Sequence, residues 1–182
     1  MTTSTAAPHD LELVREFVNT KDIEGDTDDL DGPQVLLAWM TERGLVRNGE
    51  RVTDADLAVA REVREALRSL MAVNGGSPPD PGAQETLNRV AERARFVVQF
   101  SPEGRGLLEC EASGVDGGLG RILAIVHTAM AEGTWSRLKV CLKDSCKWAF
   151  YDHSKNRSRN WCSMAVCGNR VKAETYRRRH QE

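Results

Sequence analysis

Residues 141–170 read CLKDSCKWAFYDHSKNRSRNWCSMAVCGNR, and four of the chain's five cysteines fall inside this stretch. They form two close pairs, Cys141-x4-Cys146 and Cys162-x4-Cys167, with fifteen residues between the pairs. Tetrahedral zinc requires this kind of pattern. Each pair closes a tight knuckle that delivers two sulfurs about 2.3 Å from the metal, and the longer loop lets the knuckles converge. The competing reading is a pair of disulfides. The first ten residues, Met1 to Asp10, lack the basic start and apolar middle of a secretory signal, which predicts a cytoplasmic, reducing setting where such bonds rarely persist. Four thiolates close the coordination shell and leave no position for water or substrate, so we expect one structural zinc ion and no catalytic metal. His153 and His180 are possible substitute ligands, but neither is needed. Cys110 stands apart and reads as a small buried apolar residue.

Around the cysteines, residues 136–182 hold few apolar side chains, and fewer than 50 residues with so small a core depend on metal for stability. Trp148 and Trp161 are therefore expected in that core. Trp148 and Phe150 alternate as in a strand, and a helix is predicted from Gly168-Asn169 through Lys172, Ala173 and Tyr176. Knuckle, knuckle, then helix is a treble-clef-like order. Gly168 reads as a backbone device that tolerates no Cβ. Asn169 suits a helix cap, a hydrogen bond near the sulfurs or base reading.

The formal net charge of −2 hides a division. Residues 1–135 contain 13 basic and 23 acidic side chains, whereas residues 136–182 contain 12 basic and 4 acidic ones. Lys155, Arg157, Arg159, Arg170, Lys172, Arg177, Arg178 and Arg179 surround or follow the cysteines. Such concentration beside a zinc-organised helix is the electrostatic footprint of phosphate contact. The alternative is a solvated basic face, or one that docks on an acidic protein.

Upstream, Leu11, Val14, Phe17 and Val18 recur at helical spacing and predict a helix over residues 10–19. Asn19 and Thr20 follow it, either as its ending or as a ligand-sensing pair. Asp22, Glu24, Asp26, Asp28, Asp29 and Asp31 read as a solvated loop. A calcium loop counted from Asp22 would need Gly and Glu where Thr27 and Pro33 stand. Further helices are predicted from Pro33 to about Arg43, after Thr53 to Asn74, over 83–94 and from Leu119 to Gly133. Between the last two, Phe96–Phe100 and Gly106–Cys110 flank Ser101-Pro102-Glu103-Gly104 as a hairpin. The class is α+β: a mostly helical domain over 1–135 with a small antiparallel hairpin or sheet, then a zinc module over 136–182. No apolar stretch approaches the about 20 residues of a membrane span. No catalytic triad order, phosphate loop or open metal site is present, so an enzyme is not expected.

Trp161-Cys162-Ser163-Met164, Cys167-Gly168-Asn169-Arg170 and Lys172-Ala173 resemble the signature of the CGNR zinc finger. Phe150-Tyr151-Asp152-His153-Ser154 and Arg157-x-Arg159 resemble its middle segment, with Asn160 where an arginine usually precedes the Trp-Cys pair. Phe17-Val18-Asn19-Thr20, Pro33 and Leu37-x-Trp39 resemble the ABATE domain that commonly precedes this finger in bacterial transcription regulators. The resemblance implies a DNA-binding regulator whose N-terminal domain senses a small-molecule effector or forms a homodimer. Two other functions fit the same residues: a zinc-stabilised adaptor for an acidic protein, and a thiol redox switch in which oxidation ejects the metal.

Overall fold

The amphipathic stripe of Leu11, Val14, Phe17 and Val18 produces α1 (Leu11–Asn19), and all four side chains are buried. The computed structural model describes residues 6–8 and 10–179, apart from the side chains of Thr175 and Arg179. After α1 the acidic run does not form the expected solvated loop. It folds into an antiparallel pair, β1 (Lys21–Asp22) and β2 (Thr27–Asp28), and three of its carboxylates find cations. Asp26 pairs with Lys21, Glu24 with Lys143 and Arg170, and Asp28 with Arg64. Most of those partners lie far along the chain, which is why a local reading of the run misses them.

Pro33 opens α2 (Pro33–Glu42), where its missing N–H costs nothing, and Gly44 in the left-handed region ends that turn. A capping box starts α3 (Asp54–Val73): the Thr53 hydroxyl accepts from the Asp56 N–H at 3.3 Å, and the Asp56 carboxylate accepts from the Thr53 N–H at 2.8 Å. Its stripe of Leu57, Ala60, Val63, Leu67 and Met71 is buried, each large member contributing roughly 1.5–3 kcal/mol. Pro81 in the first turn and Asp80 as cap begin α4 (Pro81–Ala94) two residues before the expected start.

The hairpin forms as read: β3 (Phe96–Phe100) pairs with β4 (Gly106–Cys110), in register from Phe96↔Cys110 to Phe100↔Gly106. The next helix, α5 (Gly114–Ala131), starts five residues before Leu119. Its glycine-rich beginning looks like loop sequence, but the glycines are there for close approach. A Cβ on Gly120 would lie 2.6 Å from Cys110 Sγ and 2.7 Å from Ala94 Cβ. Cys110 is half-buried there and donates to the Ala94 carbonyl at 3.1 Å.

A 3-10 turn at Trp135–Arg137 leads into β5 (Leu138–Val140), antiparallel to β6 (Ala149–Tyr151). This hairpin belongs to the zinc module in sequence but to the N-terminal core in space. Trp135, Leu138, Val140, Ala149 and Tyr151 share one buried cluster with Leu11, Phe17, Leu67 and Met71. Polar bonds reinforce the seam. Asn19 donates to the Ala149 carbonyl at 2.9 Å and accepts from the Ala149 N–H at 2.8 Å, and Arg68 donates to Val18 O, Lys21 O and Lys147 O. Asn74 donates to the carbonyls of Trp135 and Leu138. A π-turn at Met164–Gly168 then precedes α6 (Asn169–Arg179). Among the described residues the fold is α+β, mainly helical with three two-stranded antiparallel sheets, and no helix is long and apolar enough to cross a membrane.

Candidate metal centre

The β5–β6 hairpin makes the first knuckle. Cys141 N–H donates to Trp148 O at 2.9 Å, while Cys146 N–H and Lys147 N–H both donate to Lys143 O, turning the chain tightly through the left-handed Lys147. The second knuckle is the π-turn. Ser163 opens it by accepting from Val166 N–H, and Gly168 N–H donates to Ser163 O at 3.1 Å. Gly168 lets the knuckle pack closely: a Cβ there would lie 2.4 Å from Met164 Sδ, so the exposed Met164 side chain would have to move, and 3.2 Å from Trp161 Cδ1. Leu142 N–H donates to Asn160 O at 3.0 Å, tying one knuckle to the other, and Trp148 and Trp161 pack half-buried against the cysteines.

These turns bring the sulfurs of Cys141, Cys146, Cys162 and Cys167 to within 4.8 Å of one another. Cys146–Cys162 and Cys162–Cys167 are each 3.7 Å apart. A tetrahedron with zinc–sulfur bonds of about 2.3 Å has edges of about 3.8 Å. The donor chemistry fits the same ion. Hydrogen bonds from Cys146 and Cys162 pull the Cys141 thiol down, while sharing with Cys141 pushes Cys146 up. Hydrogen bonding to Cys141 and Cys146, burial and their negative charge push Cys162 up as well. Four adjacent sulfurs resist carrying four negative charges by themselves, and a divalent cation at their centre removes that resistance. The residues hold one zinc ion, with four sulfur ligands and no open position. His153 is elsewhere, its Nε2 2.7 Å from the Ala6 carbonyl, and His180 lies outside the described residues.

Residues 137–180 match the family model of the CGNR zinc finger, a span that contains all four ligands. Residues 11–132 match the ABATE model, whose description is "Putative stress-induced transcription regulator". The chain belongs to the ABATE family. No curated protein matches it.

In this ABATE protein the basic residues divide by role. Lys155 and Arg157 are exposed in the loop after β6, where the Arg157 side chain donates to Ser136 Oγ at 3.2 Å. Arg159 turns inward: it donates to the carbonyls of Trp161 and Cys162 and lies 5.1 Å over the Phe150 ring, bracing the second knuckle. Asn169 donates to Ala165 O at 3.2 Å and so fastens the start of α6 to the π-turn. Arg170, Lys172, Arg177 and Arg178 are exposed along α6. Arg179 ends that helix, with its side chain outside the description. Asn19 and Thr20 sit in the seam. Both ends of the Asn19 amide are used by Ala149, and the Thr20 hydroxyl donates to Phe17 O while accepting from Arg64.

Sequence reasoning assigned no role to the buried Lys139–Asp152 pair, 3.0 Å apart. Asp152 is fully buried and also accepts the N–H groups of Ser154 and Arg159. Burial alone would push its carboxyl up, but hydrogen bonds from Ser154, Lys139 and the Arg159 N–H hold it down at about 2. Its position inside the Phe150–Ser154 motif was the available signal.

Proposed function

We propose that this ABATE protein is a cytoplasmic DNA-binding transcription regulator in which zinc is structural and α6 contacts nucleic acid. The observation that carries the reading is the set of exposed cations of α6, with Arg170 and Arg177 on one face, Arg178 beside them and Lys172 on the other side, on a helix that begins two residues after the last zinc ligand. Zinc holds the base of that helix, and the helix offers phosphate partners in a fixed register. The protein acts by binding and not by catalysis, since four thiolates leave the metal no site for substrate. The N-terminal domain senses an effector or dimerises. A cleft of about 330 Å³ between the start of α1, α5 and β4, lined by Leu11, Leu108, Ile125 and Thr128, is room for a small molecule.

The test is equilibrium binding to mixed genomic duplex fragments at about 50 and 200 mM salt, where several phosphate contacts predict a steep loss of affinity. Absence of binding at the lower salt removes the reading. A protein-interaction adaptor then takes its place, favoured by the exposed Met164, Val166 and Tyr176 beside the basic residues.

A further inference from the structure

The turn of the β1–β2 hairpin carries Glu24, whose carboxylate lies against two cations from the zinc finger. Its Oε1 accepts from Lys143 Nζ at 2.6 Å and from Arg170 Nη1 at 2.7 Å. Lys143 belongs to the first knuckle, between Cys141 and Cys146. Arg170 stands in the first turn of α6, three residues after Cys167, so the metal centre fixes the two cations relative to each other. One oxygen held between an ammonium and a guanidinium is also how a phosphate oxygen is held. The group is accessible: the Glu24 and Arg170 side chains are 38% and 53% exposed, and only Lys143 is largely covered, at 12%.

We propose that Lys143 and Arg170 form a phosphate seat beside the zinc centre, and that Glu24 occupies it as an intramolecular competitor. The polyanion binds by displacing the acidic turn. That the phosphate comes from a nucleic-acid backbone rests on the function proposed above; the seat itself does not. Partly exposed ion pairs are weak, so Glu24 lowers affinity without blocking it, and a polyanion that releases counterions displaces it. The base of the hairpin has its own anchor, since Asp28 in β2 is held in two bonds, 2.6 and 2.8 Å, by the buried Arg64. The turn can therefore leave the finger while β2 stays in place. Asp26 supplies an internal control, because it carries the same charge on the same hairpin but pairs with Lys21 at 2.7 Å.

The experiment uses the full-length, zinc-loaded protein as wild type, Glu24→Gln, Asp26→Asn and the double variant Glu24→Gln/Lys143→Gln. Each is titrated with a labelled mixed-sequence duplex by fluorescence anisotropy and with tripolyphosphate by calorimetry. Zinc content and melting temperature are checked for all four. Glu24→Gln is expected to bind both probes about 3–10-fold tighter, the scale of two partly exposed ion pairs, with Asp26→Asn within about twofold of wild type and the double variant losing the gain. An equal gain in Asp26→Asn, or no gain in Glu24→Gln on either probe, overturns the seat. A gain on tripolyphosphate with no duplex binding by any variant supports the seat and removes the DNA reading. Duplex binding with no gain in Glu24→Gln removes the seat and leaves the DNA reading standing.

Discussion

Asp152 shows what a single buried charge does for the finger. Its carboxyl is held at about 2 against an ordinary 3.8, so the folded state binds the proton less readily than the unfolded chain. That stability is fully present above about pH 4 and is lost as the pH falls toward 2, and the difference amounts to about 2 kcal/mol. Asp152→Asn removes it and leaves the Lys139 ammonium buried without its partner, for an expected loss of about 3–5 kcal/mol at pH 7. Urea melts of both proteins between pH 7 and pH 2.5 check the sign, because the gap between them must narrow as the acid limit is approached. A gap that stays constant would mean that Asp152 is not ionised in the fold. Asn19 is the other residue whose role is geometric. Asn19→Ala strips both hydrogen bonds from the Ala149 backbone, and a loss of about 2–3 kcal/mol in chemical denaturation is expected from two unsatisfied buried groups.

At the scale of elements, α6 and the β1–β2 hairpin carry opposite charge and come from opposite ends of the chain. Replacing Arg177 and Arg178 by Ala should reduce the slope of log affinity against log salt by up to about two, at about 0.9 per lost phosphate contact, and weaken binding to all sequences alike. Arg170→Ala removes one arm of the phosphate seat and should likewise weaken binding to all sequences, lowering the slope by up to about one. Titrations of each variant at several salt concentrations measure both slopes. The helices themselves were mostly legible. The stripes of α1 and α3, Pro33 and Thr53 state their elements through local sterics and capping, whereas Pro81 reads as loop until its place in the first turn of α4 is seen. The start of α5 was not legible, because Gly117 and Gly120 look like loop residues until Ala112, Ala94 and Cys110 are seen pressed against them.

For the whole molecule, the shared core means that metal and fold cannot be separated at the boundary near residue 135. Trp135, Leu138, Val140, Ala149 and Tyr151 are buried with α1 and α3, so zinc removal by a chelator should lower the stability of the entire chain. A single cooperative thermal transition that shifts to lower temperature is expected by calorimetry. An independent module would give a second transition, with the helices over residues 11–132 melting unchanged. Cys162→Ser should lose the metal and reproduce that shift. The ligand set, the order of the helices, the β3–β4 hairpin and the family resemblance were all determined by the sequence alone. Each depends on spacing within a few turns of chain: a knuckle needs its two cysteines close together, and an amphipathic helix repeats its stripe locally. Only the tertiary structure decided that Asp28 pairs with Arg64 across 36 residues, that Glu24 reaches Arg170 across 146, and that Asn19 clamps Ala149 across 130. Those pairings depend on which surfaces meet when the core closes, and neither local charge nor periodicity encodes the meeting.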